Sequence, residues 1–196
     1  RVNYGYRQAM SEWDLYRGGV EFLLYKAFRN LVERSAIPDA QLDIGRRMID
    51  SFVAARMSVA LRHLIAHKDF IGANDVFVRL LSCGAIPSVE VSNYSEILTL
   101  RAAAQSLIEA FEAMTWLECI GLYRVNDSKA LEALFNEIRS GLPVRQLTDE
   151  GIYDLKDKDK MLVLVGSNTE KENLLKAGYQ DGLVIVEQEL VSQFMP

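Results

Sequence analysis

Gly166-Ser167-Asn168-Thr169 follows the apolar run Met161–Val165 and opens a polar, helix-forming segment. A glycine followed by hydroxyl and amide side chains at a strand-to-helix turn can hold a ligand, because free N–H groups and the positive end of the helix dipole converge there. The chain then continues through Gly178 and Gly182 into Leu183-Val-Ile-Val186. The stretch 161–186 therefore reads strand, turn, helix, turn, strand, the grammar of a βαβ unit, and ligands of such units sit at the loop leaving the first strand. Gly166, Ser167, Asn168 and Thr169 are accordingly the candidate ligand-binding residues.

The same residues also support a plainer reading. Ser167 with Glu170, and Thr169 with Glu172, are both spaced as reciprocal helix caps. In either register the free N–H groups already have partners, and two glutamates in the first turn oppose an incoming phosphate. The loop has one glycine rather than the three of a dinucleotide fingerprint, and it lacks the Gly-Lys-Ser/Thr ending of a P-loop. A capped structural helix is the stronger expectation. A ligand here would be a neutral or polyhydroxyl group rather than a polyphosphate.

Other constellations carry less. His63 and His67 are the only histidines, and four residues apart on a helix they share a face that could offer two metal ligands. The nearest acid, Asp69, lies past the expected helix end, so a structural role near the C-terminal dipole is favoured. Asp157-Lys158-Asp159 matches the Asp-x-Asp pattern by which nucleotide-sugar transferases hold Mg²⁺ or Mn²⁺. It lies in a highly charged run, Asp154–Lys160, that precedes an apolar strand instead of following one, and reads as a solvated loop. No serine or cysteine has a base and an orienting group in recognisable spacing, and Asp149-Glu150 is too ordinary a pair to indicate acid–base chemistry. No metal and no cofactor is expected.

The N-terminal segment interleaves aromatics with basic residues, from Tyr4, Tyr6 and Arg7 through Trp13, Tyr16 and Arg17 to Tyr25, Lys26, Phe28 and Arg29. Such mixtures can stack on single-stranded nucleic acid. Glu12, Asp14 and Glu21 are mixed in, however, and helical spacing turns the aromatics together, which favours a core or a subunit interface. Trp13, Tyr16, Tyr25 and Phe28 are the candidate interface residues.

The elements that position these groups are mostly helical. Residues 6–34 have helical apolar spacing broken at Gly18-Gly19, and Pro38-Asp39 starts a long helix over about 40–67 with Leu42, Ile49, Phe52, Val53, Ala60, Leu61 and Leu64 inward. Gly72 ends that region. A shorter helix is expected over 73–83, stopping at Gly84 and Pro87. Asn93 and Glu96 form a capping box for a helix reaching Ile120 and ending at Gly121, with Ile97, Leu100, Ala104, Leu107, Phe111 and Leu117 on its apolar side. A helix over 128–140, capped by Asp127 or Ser128, buries Leu131, Leu134, Phe135 and Ile138. Val144–Leu147 reads as a short strand and 187–194 as a terminal helix.

The fold class expected is mainly α: a helical body of four to six helices over 1–142 and a small C-terminal α/β (βαβ) element over 143–196. Two strands cannot bury both faces of a sheet, so the βαβ unit must pack on the helices, on the Val144–Leu147 strand or on a partner chain. That requirement and the aromatic N-terminus point to a non-enzymatic assembly or protein–protein interaction module, oligomeric or part of a larger chain, whose partner is itself or another protein. The alternative is a transferase of nucleotide-sugars or sugar phosphates, or its accessory domain, using the Gly166–Thr169 loop.

Composition sets the outer limits. The 196 residues, 49% hydrophobic and 25% charged, are those of an ordinary globular protein. A net charge of −5 and a pI near 5.2 argue against a general nucleic-acid surface. No run reaches the roughly 18 to 20 apolar residues of a membrane helix, so no membrane partner is expected. Cys83 and Cys119 stand in apolar contexts and read as buried thiols of a reducing, cytoplasmic compartment rather than as a disulfide. The chain opens Arg1-Val2-Asn3-Tyr4 without a signal-peptide pattern or an initiator Met, which is expected of a processed product or a domain of something longer.

Overall fold

In the computed structural model the residues described are 19–34, 38–82, 88–152 and 155–195, with the backbone alone described at 19–22, 88–94 and 96. The described helices are α1 (Gly19–Arg34), α2 (Asp39–Ala66), α3 (Phe70–Ser82), α4 (Ser88–Ala113), α5 (Ser128–Ile138), α6 (Asn168–Lys176) and α7 (Glu187–Ser192). The strands are β1 (Cys119–Tyr123), β2 (Val144–Gln146), β3 (Met161–Val165) and β4 (Val184–Val186), with 3-10 turns at Lys158–Lys160 and Asp181–Leu183. The protein is mainly α with a small parallel α/β element. No described helix is long and apolar enough to cross a membrane. Trp13, Tyr16, Gly18, Cys83, Gly84, Pro87 and the Asn93 and Glu96 side chains lie outside the description.

Two compact units divide the chain at Leu98–Thr99, within α4. The first contains α1, α2 and α3. Pro38 precedes α2 with φ −56° and ψ 141°, and its carbonyl accepts from Gln41 N and Leu42 N. The ring fixes a helix-compatible φ where no N–H is required. α2 stops at His67, after which Lys68 takes a left-handed φ of 59° and Asp69 N closes on Leu64 O at 3.0 Å. Asp69 then caps α3, its Oδ1 accepting from Gly72 N at 2.9 Å. The break expected at Gly72 therefore falls three residues earlier, and Gly72 is a buried residue inside α3. Val53, Met57, Leu61 and Leu64 of α2 and Phe70, Val76, Phe77 and Leu80 of α3 are buried in this unit. Phe52, expected inward, is 54% exposed.

The second unit is a three-layer α/β arrangement. Its four strands are all parallel in the order β2-β1-β3-β4. One sheet face, carrying Ile120, Leu122, Leu162 and Leu164, is covered by Ala103, Ala104, Leu107 and Ile108 of α4, Leu131, Leu134 and Phe135 of α5, and Leu190 of α7. The other, carrying Tyr123, Met161, Val163, Val165, Val184 and Val186, is covered by Leu174 of α6 together with Tyr179 and Ile152. All five residues of β3 are buried, as a central parallel strand enclosed on both faces requires.

β1 is the main departure from expectation. The helix predicted to reach Ile120 ends at Ala113, and Cys119-Ile-Gly-Leu-Tyr123 is a strand paired with both β2 and β3. A short unbroken apolar run has no period that separates a buried strand from a helix. Gly121 reads locally as a helix stop, but it lies mid-strand, where a Cβ would stand 2.6 Å from Met161 Sδ and 2.8 Å from Leu147 Cδ1. Once β1 is a strand, α5 becomes the crossover from β1 to β2, and the break placed near residue 142 lies inside this unit. On α4, Ile97 and Leu100 are exposed and Leu98, Ala102 and Ala103 are buried, so its inner stripe is rotated from the expected one.

Candidate functional site

The order β2-β1-β3-β4 reverses direction between β1 and β3. One crossover leaves to one side through α5 and the next to the other side through α6. In open parallel sheets ligands bind at such a switch point, outside the carboxyl ends of the strands. Four segments meet at that edge: Arg124–Asp127 after β1, Asp149 beyond β2, Gly166-Ser167 after β3 and Glu187 after β4.

The loop expected to bind ligand is engaged with protein. Ser167 is the N-cap of α6 and its Oγ accepts from Glu170 N at 3.5 Å, so of the two possible capping registers the chain uses the first. Gly166 and Ser167 are half-buried, and Asn168 and Thr169 are exposed. A Cβ on Gly166 would collide with the carbonyl oxygen of Arg124, so the bare side of this glycine is filled by the β1–α5 loop.

Arg124 organises the edge. It holds a left-handed φ of 49°. Its Nε donates to Asp149 Oδ1 at 3.1 Å and its Nη2 to Oδ2 at 2.7 Å, a two-pronged pair, while Nη1 stands 3.8 Å from Glu170 Oε1. Tyr123 donates its hydroxyl to the same Asp149 Oδ1 at 3.0 Å, and the guanidinium lies 5.5 Å from the centre of the Tyr123 ring. The hydrogen bond from Arg124, and then that from Tyr123, holds the Asp149 carboxyl below the usual aspartate value. The Asp149 hydrogen bond in turn holds Arg124 above its ordinary value. Asn126 N and Nδ2 donate to Glu187 Oε2 at 3.3 and 3.4 Å, linking the β1 and β4 loops. The one arginine at the switch point thus faces two carboxylates. Sequence reasoning passed over Arg124, and its only local signal was a cation directly after an apolar run.

A hollow of about 270 Å³ opens at the opposite, amino edge of the sheet and is lined by Glu118, Cys119, Val144, Arg145, Asp157 and Lys160 among others. Lys160 Nζ donates to Glu118 Oε1 at 2.6 Å, which raises the lysine pKa. Burial pushes the Cys119 thiol up, against a smaller lowering by Arg145, so this free cysteine is held protonated. Asp157 and Asp159 sit just before β3, whereas Gly166–Thr169 sits just after it. Five strand residues, roughly 16 Å of chain, separate them. The structure does not bring the acidic pair and the loop into one site.

No known protein family, curated protein or solved structure matches this chain.

The remaining candidates are placed as follows. The His63 and His67 rings lie 4.1 Å apart, and His67 Nδ1 is 2.8 Å from the His63 carbonyl. Among the described residues no group of three or more His, Cys, Asp or Glu could hold a metal. Tyr25 is half-buried on α1 with the Arg29 guanidinium 5.8 Å from its ring centre, and Phe28 is exposed beside Leu24 and Leu31 at helical spacing. A larger exposed apolar feature lies on α2. Ile44, Met48, Phe52 and Val59 are 53–69% exposed. With Ala55 they occupy an arc of about 80°, taking 100° per residue, roughly opposite the buried Val53, Met57, Leu61 and Leu64. This outer stripe was missed in the sequence, although its spacing of three and four residues is written there.

Proposed function

We propose that this chain is a non-enzymatic assembly module acting through protein–protein contact in a reducing, cytoplasmic compartment. What supports the reading is the second apolar side of α2. A surface helix ordinarily has one apolar stripe, which it turns to its own core. α2 has two, and the outer one carries large side chains, Ile44, Met48, Phe52 and Val59, that remain exposed. The largest exposed apolar patch of a protein, about 300–600 Å² on a typical monomer, is often functional. The Leu24, Phe28 and Leu31 stripe on α1 adds to it.

The alternative, a transferase of nucleotide-sugars or sugar phosphates, has weaker support. Ser167 is committed to its helix, Gly166 is backed by Arg124, and Arg124 is paired with Asp149. The test measures the full chain by sedimentation and by thermal shift. The assembly reading expects a mass above that of one chain, or a saturable protein partner lost on Met48→Glu. It also expects no shift with nucleotide-sugars or sugar phosphates. A saturable shift with such a ligand, abolished by Ser167→Ala with Thr169→Ala, overturns it.

A further inference from the structure

The outer stripe of α2 is shaped to receive itself. Four of its five apolar positions pair off about the point between Ser51 and Phe52. When two copies of α2 are laid antiparallel there, Ile44 faces Val59 of the other copy, Met48 faces Ala55, and Phe52 faces Ser51. Bulky side chains at Met48 and Phe52 thus meet small ones at Ala55 and Ser51, the alternation that lets two helix surfaces interdigitate without voids or clashes. An open depression of about 480 Å³, lined by Ile44, Arg47, Met48 and Ser51, lies where Phe52 of the second copy would enter.

The area fits as well. Ile44, Met48, Phe52 and Val59 are each more than half exposed, which leaves apolar surface on the order of a few hundred Å² in water. The smaller stable interfaces bury about 600–800 Å² per partner, of which about 60% is apolar. The stripe is therefore close to one half of a dimer interface, and an isologous arrangement supplies the matching half with no second surface.

We propose that the outer face of α2 binds the outer face of α2 in a second copy of this chain, antiparallel, about a two-fold axis between Ser51 and Phe52. The proposal rests on the assembly reading and names its partner. Ile44, Met48 and Val59 exclude water along the seam, and Phe52 is the central anchor.

The experiment uses the full chain. Sedimentation equilibrium gives the mass, expected at twice 22.1 kDa. Met48→Glu and, separately, Val59→Glu place an unpaired carboxylate in the seam and are expected to weaken dimerisation about a hundredfold or more. Because both positions are exposed in the single chain, the melting of the monomer should not change. Orientation is read by cross-linking in a Cys83→Ser, Cys119→Ser background. Ser51→Cys, near the axis, is expected to form a disulfide-linked dimer under mild oxidation. Ala66→Cys is expected to stay unlinked, because its counterpart lies roughly 40 Å away along an antiparallel pair.

A monomer, a dimer insensitive to both glutamates, or linkage through Ala66→Cys overturns the proposal. These results leave the assembly reading in place. That reading falls separately, to the sugar-ligand shift at Ser167 and Thr169.

Discussion

The bare face of Gly166 lies against the carbonyl oxygen of Arg124, and a Cβ at that position would overlap it. The first residue after β3 and the first after β1 are thereby locked together at the switch point of the sheet. The glycine is required by a neighbouring backbone, so Gly166→Ala must displace the β1–α5 loop rather than rotate a side chain. It should cost about 1–3 kcal/mol, measured as a lower midpoint in urea. Gly182→Ala is the control, since a Cβ there meets nothing within 4 Å.

Asp149 carries a pH signature. Its folded pKa lies below the usual carboxylate value because of the hydrogen bond from Arg124 first and that from Tyr123 second. A depressed carboxyl contributes stability that is complete above its unfolded pKa, about 3.9, and is lost as pH falls through the folded value. The difference in denaturation midpoint between the wild-type chain and Asp149→Asn should be constant from neutral pH to about 5 and shrink below about 4. A difference that persists unchanged in acid would show that the ion pair is not its source.

Cys119 should react slowly. Burial holds its thiol above the ordinary value, and Arg145 offsets part of that rise. In a Cys83→Ser background, alkylation by iodoacetamide should rise at a higher pH than for an unperturbed cysteine. Arg145→Ala should move the midpoint further up, because it removes the charge that stabilises the thiolate.

Met57 and Met48 are the same residue type on opposite sides of α2, one fully buried and the other 69% exposed. Met57→Ala removes core packing and should lower stability by about 2–4 kcal/mol. Met48→Ala should change the stability of the single chain by no more than about 0.5 kcal/mol. Its effect should appear in the mass measured by sedimentation. Chemical melts at low concentration separate the two.

Many elements were legible in the sequence because their causes are local. Asp127 caps α5 by accepting from Ala130 N at 3.0 Å, Ser167 caps α6, and Gly178 ends α6 with φ 93°. Each is a backbone requirement met within a few residues. The strand Met161–Val165, the helix that follows it and the strand Val184–Val186 could be read in the same way, as could β2. The need of the βαβ unit for a neighbour was also legible, from the physics of a two-stranded sheet.

The identity of that neighbour was not legible. β1 is the strand that pairs β3 on one side and β2 on the other, yet Cys119–Tyr123 has no period of its own and carries at its centre Gly121, which reads as a helix stop. Only pairing decides its state, because the hydrogen bonds that fix a strand come from residues far along the chain. The same reason governs the candidate site. Order in sequence put Asp157, Asp159 and Ser167 within eleven residues, and strand direction sent them to opposite edges of the sheet. Arg124 acquired its role when Asp149 arrived from the loop after β2 and Glu170 from the first turn of α6. Periodicity determined by itself that α2 carries two apolar stripes. Tertiary packing decided which one is buried, because the contacts that enclose Val53, Met57, Leu61 and Leu64 come from residues far along the chain.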